Sequence, residues 1–256
     1  MLTRPPDRSA APSYPHEFTR LQLWALGGGA CRLKRLLTEV GAMMPRQVLH
    51  ILQCVLNYMK VGRWAKDQGF LFPKRFTHRE EVFAVVAEQI KDKKVLYLEF
   101  GVFRGAATRY WSAALRNPDS LLHGFDSFQG LPEDFHDVGG ALTKGYFSTG
   151  GQVPQIDDDR VTFFPGWFGE VLPGYAVPDH EVLVLNLDAD LYSSTIYVLR
   201  HFRPYIKQGT FLYFDDLSST RDEPRAFTEF MRESGLRFRH LAAQLSLNQA
   251  FFVCEG

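Results

Sequence analysis

The stretch VLVLNLDADLYSST, residues 182–195, constrains this chain more than any other. An apolar run (Val182, Leu183, Val184, Leu185) leads into Asp188-Ala189-Asp190, then a polar Ser193-Ser194-Thr195, then apolar residues at helical spacing. A continuous apolar run this short predicts a strand buried on both faces of a parallel sheet. The two carboxylates then fall at its C-terminal end, where open α/β sheets bind ligands, and at i and i+2 they share a face if the strand persists that far. A second run, GTFLYF at 209–214, ends the same way in Asp215-Asp216. Two strands that each carry a pair of Asp to one rim make a hard, oxygen-lined site suited to Mg²⁺.

The surrounding pattern agrees with that placement. From Val95 onward strands alternate with helices: strands at 95–100, 120–126, 161–164, 182–188 and 209–214, with helices after the first, fourth and fifth. Two closing runs, 236–241 and 250–254, have only eight residues between them, too few for a helical crossover, so they pair as an antiparallel hairpin. Five alternating strands and a terminal hairpin resemble the plan of class I methyltransferases. Upstream, apolar spacing predicts two helices within 31–64, broken at Pro45. GFLFPK at 69–74 reads as a packed crossover, and Thr77-His78-Arg79-Glu80 reads as a capping box opening a further helix. Residues 1–20, with four prolines, read as a loose tail. The expected division is an appendage over 1–75 and the α/β domain over 76–256.

Bulk properties narrow the function. Lys+Arg and Asp+Glu balance at 29 each, so no nucleic-acid partner is expected. No run approaches the roughly 20 apolar residues of a spanning helix, and no signal-peptide pattern opens the chain. The three cysteines, Cys31, Cys54 and Cys254, form neither a metal spacing nor a disulfide framework. These features predict a soluble cytoplasmic protein. The eight histidines show no ligand spacing, and Arg160, after Asp157-Asp158-Asp159, reads as part of a solvated charge run.

Between the first strand and its helix lies Glu99-Phe100-Gly101-Val102-Phe103-Arg104-Gly105. Glycines there permit a tight turn and close approach of a ligand to backbone. A carboxylate before the first glycine suits an amine-bearing ligand better than a phosphate. Asp126, 27 residues after Glu99, ends the second strand, where an acidic residue can accept the hydroxyls of a ribose or simply serve a turn. Together these favour S-adenosylmethionine, which is cationic and has a free ribose.

The segments YLEFGVFRG, GFDSFQGLPEDF, Gly166-Trp167-Phe168 with Leu172-Pro173, NLDADLYSST and FDDL occur in one order at sensible spacing over 76–217. In this the chain resembles the macrocin O-methyltransferase family, Mg²⁺-dependent sugar O-methyltransferases that include the mycinose and noviose enzymes of antibiotic biosynthesis. The resemblance implies Asp188, Asp215 and Asp216 as Mg²⁺ ligands and Asp190 as general base. It implies Glu99, Gly101, Gly105, Asp126 and Ser127 as cofactor contacts, with Gly166 and Trp167 near the adenine. Ala106 stands where a further glycine is expected, which leaves Thr108 as a candidate hydroxyl contact. It also favours a homo-oligomer and a hydroxylated, sugar-containing acceptor. A catechol-like diol presents the same two oxygens. A D-x-D glycosyltransferase and a non-catalytic binding protein are competing readings. The loop at 129–159, with Phe135, Tyr146 and Phe147, reads as a lid whose aromatics either stack on substrate or form a small core of their own.

Overall fold

A computed structural model of the chain describes residues 29–72, 74–137 and 140–256. The Pro-rich tail expected over 1–20 lies outside the described residues. The chain divides into two compact units that part between Leu49 and His50. In the first, helix α1 (Gly29–Met43) is followed at Pro45 by the opening turn of α2 (Arg46–Asp67). Proline is tolerated there because the first turn of a helix has no acceptor for its missing N–H. Leu33, Leu36 and Leu37 on α1 are exposed.

The second unit is built on an eight-stranded sheet of order β1-β9-β10-β8-β7-β2-β3-β6. The strands are β1 (Arg75–Phe76), β2 (Val95–Phe100), β3 (Leu121–Asp126), β6 (Val161–Pro165), β7 (Val182–Leu187), β8 (Phe211–Phe214), β9 (Phe238–Gln244) and β10 (Ala250–Cys254). Within the run β6-β3-β2-β7-β8 every pairing is parallel, while β10 lies antiparallel to both β8 and β9, as the short closing connection requires. Every residue of β2 and β7 is buried, which is why both read as continuous rather than alternating apolar runs.

A one-turn helix, α5 (Phe168–Val171), follows β6, and alternation along β2 and β7 feeds two cores. Leu98, Phe100, Leu185 and Leu187 face Val198, Leu199 and Phe202 of helix α6 (Tyr192–Phe202) and Phe227 and Phe230 of α7 (Glu223–Ser234). Val95, Tyr97 and Val184 face Phe83 and Val86 of α3 (Arg79–Ile90) and Trp111 of α4 (Ala106–Ala114). The last turns of α2 join the first core through Val61 and Ala65, and the Trp64 indole N–H donates to Thr228 Oγ1 at 2.9 Å. β2 sits between β3 and β7, so the chain winds outward from it in both directions. The crevice at such a reversal opens beyond the C-terminal ends of β2 and β7.

Four local features differ from expectation. The cap of α3 lies one residue later: His78 is the N-cap, and Glu81 Oε2 accepts the N–H groups of Thr77 (3.1 Å) and His78 (2.9 Å). The crossover at 69–74 leads into β1, which pairs parallel with β9 at the sheet edge. The loop at 129–159 contains a small hairpin, β4 (Phe135–Asp137) with β5 (Gly140–Leu142). Arg160 is not part of a solvated run. Its side chain is 19% exposed and donates to the carbonyls of Ser112, Leu115 and Asn117 and to Asp158, tying off the C-terminal end of α4. A cation suits the carbonyls that a helix end leaves unpaired.

Candidate active site

The parallel ladder continues one residue past each strand end and thereby aligns the acidic groups. The Asp188 N–H donates to the Phe100 carbonyl (2.9 Å), and the Asp215 N–H donates to the Leu187 carbonyl (3.0 Å). Neighbouring strands lie about 4.8 Å apart, so residues level with one another bring their side chains to one place. One carboxylate oxygen from each of Asp188, Asp215 and Asp216 lies within 4.8 Å of the others. Octahedral Mg²⁺ at about 2.1 Å needs oxygens roughly 3 to 4.2 Å apart. Inward shifts of about half an ångström would suffice for a hard cation of this size.

Asp190 stands outside that trio. It adopts a left-handed backbone (φ 56°), it is buried, and its carboxyl hydrogen-bonds that of Asp216. Burial, and then the neighbouring carboxylates, push the Asp188 carboxyl well above the usual range. Burial, the bond to Asp190 and nearby Glu223 do the same to Asp216. Glu223, the first residue of α7, is fully buried beside them, with one oxygen accepting the Asp216 N–H at 2.8 Å. So many carboxylates in one buried place favour either protons or a cation.

Beside the acids lies a cleft of about 560 Å³, within the range of small-molecule sites. Gly101, Asp126, Ser127, Gly166 and Trp167 line one part of it, and Asp188, Asp190, Asp215 and Asp216 another. Gly101 (φ 94°) must be glycine: a Cβ there would stand 1.8 Å from the Asp188 carbonyl oxygen. Asp126 is heavily used by the fold. Its Oδ2 accepts the N–H groups of Val102 and Phe103 at 2.8 Å each, and its Oδ1 accepts that of Phe128 at 2.7 Å. A carboxylate offers about four acceptor positions, so roughly one remains for a ligand. Ser127 Oγ accepts the Gln129 N–H, and the Gly166 N–H donates to the Asp126 carbonyl.

Glu99, Gly105 and Thr108 are not among the residues lining the cleft. Gly105 (φ 72°) is the N-cap of α4 and lies against Pro154. Glu99 is 1% exposed, and its Oε2 accepts hydrogen bonds from Thr108 Oγ1 (2.6 Å) and Tyr97 OH (3.0 Å). Burial raises its carboxyl to about 7. The lid aromatics divide between the two roles considered. Phe135 is buried with Leu131 and Leu191, whereas Phe147 lines the cleft against Phe103.

Four further residues at the site escape a reading of the sequence. Arg79 lines the cleft from the start of α3, with its guanidinium 3.7 Å from Asp215. Tyr213 OH (2.7 Å) and the Gln249 amide (2.9 Å) both donate to Asp215 Oδ1, which fixes that carboxylate's orientation. Glu223 supports Asp216. One signal was available: Tyr97 precedes Glu99, and Tyr213 precedes Asp215, at the i, i+2 spacing that places both side chains on one strand face.

A mostly parallel sheet with an antiparallel strand near its end, and a cleft at the strand reversal beside a glycine turn, is the class I methyltransferase architecture. The crystal structure of CalS11, a calicheamicin methyltransferase, shares that fold with a TM-score of 0.53 at 22% identity, covering 98% of this chain and 99% of that one. The chain belongs to the macrocin O-methyltransferase (TylF) family, whose model matches residues 73–240. It is 33% identical over 140 residues to the 8-demethyl-8-(2,3-dimethoxy-alpha-L-rhamnosyl)-tetracenomycin-C 4'-O-methyltransferase of Streptomyces olivaceus (46% of this chain, 51% of that one). It is 30% identical over 138 residues to the mycinamicin III 3''-O-methyltransferase of Micromonospora griseorubida (46% and 54%). The chain thus spans about half the length of these curated relatives.

Proposed function

We propose that this chain is an O-methyltransferase that moves a methyl group from S-adenosylmethionine to one hydroxyl of a vicinal diol, on a sugar of a natural product or glycan. The observation that carries the proposal is the trio Asp188, Asp215 and Asp216, gathered at the ends of adjacent strands beside the Gly101 turn. The sugar acceptor is supported by the relatives, one of which is named for methylating a rhamnosyl-tetracenomycin and another for methylating mycinamicin III. In this reading residues 76–256 carry the catalytic machinery, and 1–75 precede it as an appendage whose last part is built into the core and sheet of that domain through Val61, Ala65 and Arg75.

The three carboxylates would hold Mg²⁺, which would make a nearby acceptor hydroxyl more acidic. Asp190, outside the trio, takes the proton that the attacking hydroxyl gives up, a step worth roughly 10²- to 10⁴-fold. S-adenosylmethionine, when bound, would supply the methyl carbon to that oxygen and keep the electron pair of its C–S bond on sulfur. Asp126 would accept a ribose hydroxyl, Ser127 and Gly166-Trp167 would border the nucleoside, and the buried Glu99 carboxylate would attract the amino group through its charge. The walls at Phe103, Phe147 and Trp167 help to exclude water.

No helix among the described residues is long and apolar enough to cross a membrane. Cys31, Cys54 and Cys254 form no disulfide, which suits the cytoplasm. Ile51, Leu52, Val55 and Met59 of α2 are exposed, and a contiguous apolar face of this kind supports pairing with a second copy of the chain.

The test is calorimetric titration of EDTA-treated protein with S-adenosylhomocysteine, then with Mg²⁺ in the presence and absence of sugar diols and catechols. Tight nucleoside binding, with Mg²⁺ uptake lost in Asp188→Asn, is expected. Uptake of a nucleoside diphosphate with no response to S-adenosylhomocysteine would instead indicate a glycosyltransferase. Nucleoside binding without a metal response would remove the mechanism.

A further inference from the structure

Arg79 has no part in the mechanism above, yet it is the one cation among the described residues that line the cleft. Its side chain is 28% exposed, and two carboxylates approach its guanidinium, Asp215 and Glu80, each at 3.7 Å. That is longer than a made hydrogen bond, and a guanidinium carries five N–H donors in a planar fork shaped for a carboxylate. Asp215 does not absorb them, since its Oδ1 is already held by Tyr213 and Gln249. Arg79 shares the cleft lining with Gly101, Asp188 and Asp215, and its charge is also felt at Glu99 on β2 and at Asp188 beyond β7.

We propose that Arg79 binds the carboxylate at the amino-acid end of the cofactor. This rests on the cofactor assignment above and deepens it. An amino-acid end carries an ammonium and a carboxylate on one carbon. Arg79, in the cleft lining, supplies the positive charge that the carboxylate requires, and Glu99, buried on β2 outside that lining, supplies the negative one from behind it. The other charged side chains lining the cleft are all acidic, and they attract the sulfonium but repel the carboxylate. Arg79 offsets that repulsion where it is largest, next to Asp215 and Asp188.

The rival role is structural, with Arg79 merely steadying Asp215. Titration calorimetry on the full chain separates the two, comparing wild type, Arg79→Gln and Arg79→Lys against S-adenosylhomocysteine and its decarboxylated analogue, with Mg²⁺ titrated separately. Arg79→Gln should weaken S-adenosylhomocysteine about 10- to 100-fold, as expected for a lost charge-assisted pair, and leave the decarboxylated analogue within about twofold. Mg²⁺ should bind as tightly or more tightly, because a like charge near the ion has gone, and Arg79→Lys should recover part of the loss. Equal weakening of both nucleosides, no weakening of either, or weaker Mg²⁺ binding overturns the proposal. So does an unchanged S-adenosylhomocysteine affinity with a raised KM for a nucleotide-diphosphate sugar, which would move Arg79 to an acceptor phosphate. Wild type that binds neither nucleoside would sink the cofactor reading itself, a result distinct from failure at Arg79 alone.

Discussion

Glu99→Gln should make the ligand-free protein more stable at pH 8 while weakening its hold on the cofactor. Glu99 is 1% exposed, and burial raises its carboxyl from 4.5 to about 7. Between those values the folded chain binds a proton that the unfolded chain has released, so stability from this group falls as pH rises. At 1.36 kcal/mol per tenfold change, keeping an ionised Glu99 in the fold costs about 3 kcal/mol at pH 8, against less than about 1 kcal/mol at pH 5. Glutamine removes the ionisation and retains a carbonyl oxygen that can accept from Thr108 and Tyr97, the two donors that hold Glu99 now. Thermal melts of EDTA-treated wild type and variant from pH 5 to pH 8 should therefore diverge. For a domain of this size the variant gains roughly 6–12 °C at the upper end and little at the lower. All other titrating groups are common to both proteins and cancel in the difference. Cofactor binding should show the reverse linkage: an ammonium beside Glu99 favours the carboxylate, so wild-type affinity for S-adenosylhomocysteine rises as much as about tenfold from pH 6 to 8. Stability curves that run parallel across the pH range would refute the reasoning.

Three further outcomes are expected. Asp190→Asn should keep Mg²⁺ and S-adenosylhomocysteine binding while kcat falls about 10²- to 10⁴-fold, read by calorimetry and steady-state turnover. Tyr213→Phe removes the 2.7 Å hydrogen bond that orients Asp215 and should weaken Mg²⁺ binding about tenfold or more, with little effect on nucleoside binding. Arg160→Ala takes a donor from the Ser112, Leu115 and Asn117 carbonyls at the end of α4, the last of which keeps the Ser120 N–H, and leaves Asp158 without its cation. It should cost about 2–4 kcal/mol in urea unfolding. In wild type the Arg160 guanidinium holds the Asp158 carboxyl well below the usual range, so this contribution is full above the ordinary carboxylate range and fades in acid, whereas the variant lacks it at every pH.

What the sequence could disclose depended on whether a residue's role is local or distant. β2 and β7 were legible because strands covered on both faces are mostly apolar, with Glu99 and Asn186 the polar exceptions, and because paired carboxylates just past such runs belong at a rim. The terminal hairpin followed from the length of its connection alone. Arg160 was misread because its immediate neighbours are acidic, while the carbonyls it serves lie 43 to 48 residues away. Arg79 and Glu223 were hidden for a different reason. Each opens a helix, where capping and the helix dipole already account for a charged residue, so nothing was left over to point toward the cleft. The site resolves the ambiguity by using those positions twice. The start of α3 brings a cation to the rim, and the start of α7 brings a buried carboxylate beneath Asp216. Asp126 shows the same economy: its carboxylate closes the glycine turn through three backbone N–H groups and still faces the cleft. A substitution at Asp126 would therefore loosen the turn that positions Gly101 as well as any contact to a ribose. Loss of cofactor binding in such a variant would not by itself assign Asp126 to the ligand. Arg79 and Tyr213 stand outside the turn, so substitutions there separate ligand binding from the integrity of the fold.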